Sequence, residues 1–266
     1  MEDNNDHVPE WALRHFRNFK DNVLKARAVT VVAAVGSGVL HGLLGAFEKN
    51  PEVEKISIAN STIAVDAIQK SGWEYIKQQW KEHRSMYDEP TVASAILLGQ
   101  ATITLWSALE CFVRDFLADW VDIRGESKRL DQVRNVKVGF ADFLSMSVRQ
   151  RNYELVKAVE EKIDFRDKGG ATRFVRLFEA FGVKVELDGE PKKMLWECWN
   201  IRNLIAHHMG IVDEHFVQRC PSLGKRVGDK VDVDVQSYMQ FVEAAGKFGL
   251  AIRQGVVRYL REKETE

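Results

Sequence analysis

The sequence predicts an all-α fold, a helical bundle, on three observations. Apolar residues recur at helical spacing through two long stretches, residues 91–123 and 235–261. Alternation of apolar and polar residues is rare, which leaves little case for an extended sheet. Helix punctuation precedes both stretches, Pro90 before the first and Asp234 before the second. The composition agrees: 266 residues, 45% hydrophobic and 29% charged, with seven Trp, make a globular chain able to bury a good core.

Taken in order, residues 10–27 form an amphipathic helix with Trp11, Leu13, Phe16, Phe19 and Leu24 among charges. Residues 57–87 offer another helical stretch, carrying Ile63, Val65, Ile68, Trp73, Ile76 and Trp80. Asp88-Glu89-Pro90 interrupts it, so the boundary falls here: residues 1–90 as an N-terminal helical extension and 91–266 as the main domain. In the helix over 91–123, Ile96, Ile103, Trp106, Leu109, Val113, Phe116, Leu117 and Trp120 share a face. Glu110 interrupts that face, with Arg114 four residues on to neutralise it. Residues 124–138 are polar with a modest basic excess, which reads as a solvated connection. One or two helices follow over 140–163 and another over 172–181. The stretch 183–187 (VKVEL) is too short to found a sheet. Pro191 suits the first turn of a helix over 191–210 and Gly210 suits its C-terminal cap. A loop with Pro221, Gly224 and Gly228 leads to Asp234 and the last helix.

Charge and cysteine content narrow the function. The net charge of −1 gives no overall basic field of the kind that advertises a nucleic-acid binder. The cysteines Cys111, Cys198 and Cys220 are odd in number and widely spaced, which suits neither a disulfide framework nor a zinc site. With acidic and polar first residues in place of a secretory signal, a cytoplasmic location is expected. One segment stands apart: residues 28–47 (AVTVVAAVGSGVLHGLLGAF) lack formal charge, are long enough to span a bilayer, and contain Gly38-x-x-x-Gly42. Gly36-Ser37-Gly38 and His41 weigh against a lipid-embedded helix. A buried helix or hairpin is therefore expected here, with membrane association through 28–47 as the alternative.

The most informative residues are Arg202-Asn203-Leu204-Ile205-Ala206-His207-His208. Arginine can hold phosphate oxygens through paired hydrogen bonds, and histidine moves protons near neutral pH. Helical spacing puts Leu195, Cys198, Trp199, Ile205, Ala206 and Met209 on one apolar stripe with Arg202 in its middle, and Asn203 with His207 on a second face. A guanidinium in a packing stripe needs a carboxylate, a polar interface or a phosphate. Two readings stay open at this point. Arg202 pairs with a buried acid, for which Glu110 is the obvious choice, and the histidines cap the helix; or the cluster is a site.

Three segments carry a family resemblance. Residues 107–117 (SALECFVRDFL) resemble the opening helix of the HEPN superfamily (higher eukaryote and prokaryote nucleotide-binding domains), and residues 201–213 (IRNLIAHHMGIVD) resemble its signature. Residues 228–234 (GDKVDVD), leading into a last long helix, follow the pattern of its bacterial branch. The resemblance spans about residues 91–261. It implies a bundle of four to five helices that forms a homodimer, with the two motifs meeting across the axis. It also implies a metal-independent, cofactor-free endoribonuclease acting as a toxin or an antiviral, abortive-infection effector, with RNA as substrate and an antitoxin or other regulatory protein as partner. Carried onto this chain, Arg202 holds the scissile phosphate, Asn203 orients it, and His207 is the general acid or base as the 2′-hydroxyl attacks to leave a 2′,3′-cyclic phosphate. His208 and Glu110 are supporting positions. The alternative is a non-catalytic HEPN-like scaffold for dimerisation or partner binding, with Arg202 in a structural ion pair. Arg202 and His207 lie about 140° apart on a straight helix, so a single site using both has to be shared between two subunits.

Overall fold

A computed structural model of the chain describes residues 8–26, 28, 55–58, 61–64, 90–124, 139–163 and 169–265. The fold is all-α in character. Its helices are α1 (10–26), α2 (Pro90–Arg124), α3 (Phe140–Ser145), α4 (Val148–Lys162), α5 (Ala171–Ala180), α6 (Gly189–His208), α7 (Glu214–Arg219) and α8 (Val235–Thr265). The two long helices come out where the apolar period places them, because that period holds over many turns. Pro90 occupies the first position of α2, where its missing N–H costs nothing. Asp234 Oδ1 accepts a hydrogen bond from Ser237 N (2.7 Å), the cap expected for α8. The stretch 140–163 resolves into two helices, because Ser147 and Gln150 close a capping box that starts α4 afresh.

One expectation is corrected. The helix expected over 57–87 is not continuous: Lys55–Ile58 (β1) and Ser61–Ala64 (β2) pair as antiparallel strands, with Ile58 opposite Ser61. Ile56, Ile58, Thr62 and Ile63 are β-branched and favour the pleated conformation over the helical one. The N-terminal extension is therefore not wholly helical. Of the apolar segment 28–47, all but Ala28 lies outside the described residues, as does nearly all of the basic connection 124–138. By its internal contacts the chain divides into two compact units. One compact unit comprises Met1–Ala26, Thr102–Val231 and Gln240–Glu266; the other comprises Arg27–Ala101 and Asp232–Met239. The second unit contains the β1–β2 pair.

In the first unit, α1 packs against α2. Phe19 stacks on Phe112 with ring centroids 4.4 Å apart, and Trp11 and Phe16 pack against Phe116 at 5.3 and 5.5 Å. Aromatic pairs at such distances contribute about 1 kcal/mol each beyond their buried area. His15, almost fully buried, meets Asp119 Oδ2 at 2.8 Å, and Arg14 donates to the same oxygen at 2.9 Å. Behind this layer, Leu105, Trp106, Leu109, Val113, Phe116 and Leu117 of α2 are fully buried. Trp106 stacks on Phe174 of α5, and Phe174 in turn on Phe248 of α8 (centroids 5.4 and 6.1 Å). Residues 94–122 of α2 are long and apolar enough to cross a membrane by length and composition, yet half of that stretch is buried inside the fold.

The segment 183–187 is extended without a strand partner, and Val183, Val185 and Leu187 point inward. Its exposed Glu186 accepts hydrogen bonds from Arg258 on α8 (2.8 Å), with Lys184 3.0 Å away. Those bonds hold the Glu186 carboxyl down at about 2. Gly255 permits the approach of this segment to α8, because a Cβ there would sit 2.4 Å from the Lys184 carbonyl oxygen.

The three cysteines sit in unlike surroundings, and this gives a direct check of the packing. Cys111 is exposed, while Cys198 and Cys220 are buried. Burial pushes the Cys198 thiol far up, against the pull of Arg202, and raises Cys220 to about 12. The thiolate is the reactive form, so both should stay inert at neutral and mildly alkaline pH. Native protein at pH 8 should titrate one fast thiol with an aromatic disulfide reagent, Cys111, and release the other two only on unfolding. Three fast thiols would contradict the burial of α6.

Candidate functional site

The site is built on the last three turns of α6. This helix seats itself through Met194, Leu195, Cys198, Ile201 and Leu204, all buried. The expected stripe is thus rotated: Trp199 and Ile205 are half-buried, Ala206 is exposed, and Met209 is the most exposed large apolar side chain described, at 85%. Two polar residues take places on the buried face because each has a partner. Glu197 accepts from Ser222 Oγ (2.9 Å), and the Asn200 side-chain nitrogen donates to the Trp196 carbonyl (2.8 Å).

Arg202 falls at one edge of the seat, between the lines of Leu195 and Cys198, where its charge opposes the upward push on the Cys198 thiol. Its Nη1 donates to Asn203 Oδ1 at 2.8 Å, and its buried Nε has no hydrogen-bond partner. No described carboxylate lies within ion-pair distance of it, so the pairing with Glu110 is not made. Glu110 instead accepts from Trp106 Nε1 (3.0 Å) and stands 3.9 Å from the Arg173 guanidinium. The acid at the centre of that cluster is Glu160 of α4, almost fully buried and bonded by Arg173 and by Arg114 Nε (3.0 Å). Arg114 therefore neutralises Glu160 first and Glu110 only at longer range.

At the opposite edge of the seat lies an open cleft of about 200 Å³. It is lined by Asn200, Asn203, Leu204, His207, His208, Asp213, His215, Phe216 and Arg219. Asn203 and His207 thus share a site, as their spacing predicts. Arg202 does not line it and reaches it only through its bond to Asn203. His208 also lines the cleft, its Nε2 3.7 Å from Asp213 Oδ2. Glu110 does not. Among the described residues no three His, Cys, Asp or Glu side chains converge to hold a metal ion.

Three lining residues escaped the sequence reading, His215, Phe216 and Arg219, because the stretch after α6 reads as a loop. In fact α7 starts at Asp213, whose Oδ1 accepts from Phe216 N at 2.7 Å. Asp213 followed by Glu214 is a helix-start signal that could have revealed it. The turn that sends the chain back is also displaced from expectation. Met209, not Gly210, is the first residue with positive φ (53°), and Gly210 follows at 82°. The Met209 and Gly210 N–H groups both close on the Leu204 carbonyl, the latter at 3.0 Å, which satisfies an end carbonyl of the helix.

No family model, no curated protein and no solved structure matches the chain.

The Glu160 cluster explains the acid in the opening helix on structural grounds. Glu160→Ala removes the carboxylate that two half-buried guanidinia share, and should lower unfolding stability by about 2–3 kcal/mol. Glu110→Ala should cost less, because Glu110 gives up one bond to Trp106 and a distant ion pair. Denaturant melts of the two variants check the order; a larger loss for Glu110→Ala would overturn this account.

Proposed function

We propose that the chain is a metal-independent endoribonuclease of HEPN type, working as a toxin or abortive-infection effector. The observation that carries this reading is the cleft at the exposed end of α6, where His207 and Asn203 face solvent and Asn203 is tied to the Arg202 guanidinium. In the scaffold alternative Arg202 is held by a structural ion pair, and no described carboxylate provides one. A half-buried guanidinium with an unpartnered Nε is better matched to a phosphate or a partner surface.

The chemistry then runs as follows. A general base takes the proton of the RNA 2′-hydroxyl, the 2′-oxygen attacks phosphorus, and the bond to the 5′-oxygen breaks. A general acid protonates that oxygen, leaving a 2′,3′-cyclic phosphate and a 5′-hydroxyl. His207 supplies one of these two groups. Arg202 and Asn203 stabilise the charge that builds on the phosphate oxygens. Arg202 and His207 diverge by about 140° on their helix, so the arginine acting on a given phosphate and the histidine acting on it come from different copies. Met209 and Ile211, exposed apolar side chains directly after the motif, supply surface for such an association.

Purified protein should cleave RNA in excess EDTA, give cyclic-phosphate ends and leave an all-deoxy substrate intact. Arg202→Ala and His207→Ala should each lose activity by a factor of about 10² or more with their far-UV spectra unchanged. Metal-dependent cleavage, or full activity in Arg202→Ala, would refute the assignment. Sedimentation should give a two-fold dimer at micromolar concentration; a monomer that still cleaves RNA would rule out the shared site.

A further inference from the structure

Arg219 is the cation that the cleft itself contains. It closes the six-residue helix α7, and two tryptophans of α6 hold it in place. Trp196 Nε1 donates to the Arg219 carbonyl at 2.9 Å, and the Arg219 guanidinium lies over the Trp199 ring, 5.7 Å from its centroid. Trp199 is itself fixed from below, because it packs so closely over Gly169 that a Cβ there would overlap its ring. No described carboxylate lies within ion-pair distance of Arg219. The only acid lining the cleft is Asp213, and its Oδ1 is taken up in capping α7. The cleft therefore gathers one guanidinium, three imidazoles (His207, His208 and His215) and the amide of Asn203 around a single carboxylate. A concave surface with that excess of donors matches a phosphodiester, and it is complete within one protomer.

We propose that Arg219, positioned by Trp199, holds a phosphate of the RNA chain in the cleft beside His207, as a phosphate-binding residue distinct from Arg202. The inference rests on the endoribonuclease reading for its ligand, but not for its geometry. Each subunit brings a histidine and a cation to the RNA from the same cleft, while Arg202 acts from the other edge of the helix. An RNA strand thus meets two cations per protomer, one on either side of Asn203. The Arg219 guanidinium lies over the Trp199 ring, and a cation–π contact leaves guanidinium N–H donors available for phosphate oxygens.

The test uses the full-length protein and a 2′-O-methyl RNA oligonucleotide, which has the phosphates but no nucleophile. Binding is read by fluorescence anisotropy over a salt series, in parallel with cleavage of the unmodified RNA. Arg219→Ala should weaken binding of the 2′-O-methyl strand about tenfold and lower the slope of log affinity against log salt by about 1 for each cleft engaged. Arg219→Lys should recover the salt slope but only part of the affinity, because a single ammonium replaces a fork of donors. Trp199→Leu should fall between wild type and Arg219→Ala, with its melting temperature reported so that a folding defect is recognised. Lys247→Ala, which removes a charge on α8 far along the chain from the cleft, serves as control and should match wild type. Equal affinity and equal salt slope in wild type and Arg219→Ala overturn the inference, as does a wild type that does not bind the strand. The two readings fail separately. A wild type that binds through Arg219 but never cleaves removes the nuclease and keeps the phosphate site; one that cleaves indifferently to Arg219 removes only the site proposed here.

Discussion

The seating of α6 constrains everything else at the motif. Once Leu195 and Cys198 are fully buried and Ile201 and Leu204 nearly so, the rotation of the helix is fixed and no side chain on it can choose its direction. Arg202 is forced to one edge of the seat, and Asn203 and His207 to the other. The guanidinium bears the cost. Its Nε loses water without gaining a partner, a penalty of about 1–3 kcal/mol in general, and only Nη1 regains a bond, to Asn203. A residue held at such a cost without a carboxylate is not stabilising the fold by pairing. That is the physical reason to read the motif as a site rather than as part of the core.

The ion pairs of the bundle sharpen the contrast. Glu160, with almost no exposed surface, draws two guanidinia to itself, and Glu110 takes the indole of Trp106 and the outer reach of Arg173. Acids and cations inside the first unit are therefore matched to one another, as the penalty for an isolated buried charge requires. Arg202 and Arg219 stand outside this matching, and both lie on the same stretch of chain, residues 202–219. Arg202 is half-buried and Arg219 exposed, and no described carboxylate lies within ion-pair distance of either.

How much of this could be read from the sequence follows from the range of each interaction. Helices 91–123, 235–261 and the motif helix were legible because their period repeats over many turns, and chance runs do not survive that length. The rotation of α6 was not, because Trp199, Ile205, Ala206 and Met209 are apolar by type yet lie towards the free end of the helix. Glu197 and Asn200, polar by type, are buried because Ser222 and a backbone carbonyl receive them. The pairing of Glu110 with Arg202 failed for the same reason. Partner choice between separate helices depends on packing that no local pattern encodes, and Arg173 was the nearer cation. The β1–β2 pair and α7 were missed because each is too short for its period to register. Of the cleft, helical spacing put Asn203 and His207 on one face and the family resemblance pointed to them and His208; His215 and Arg219 needed the chain to turn back.

That reversal is where the local chemistry of the turn meets the site. Met209 accepts a left-handed backbone that costs a non-glycine residue about 1 kcal/mol, and Gly210 continues it with space only for a hydrogen, a Cβ there standing 3.1 Å from the Val231 carbonyl. The Gly210 carbonyl accepts from Val231 N, and Val212 N donates to the Asp229 carbonyl, both at 2.9 Å. The turn is thereby pinned by the loop that follows α7. Because it is pinned, α7 runs back along α6, and Arg219 comes to rest on tryptophans set about two to three turns before the histidines. The strain at Met209 has no counterpart elsewhere among the described non-glycine residues. It sits where the fold converts a linear motif into a cleft, so the histidines of α6 and the arginine of α7 depend on one strained peptide for their meeting.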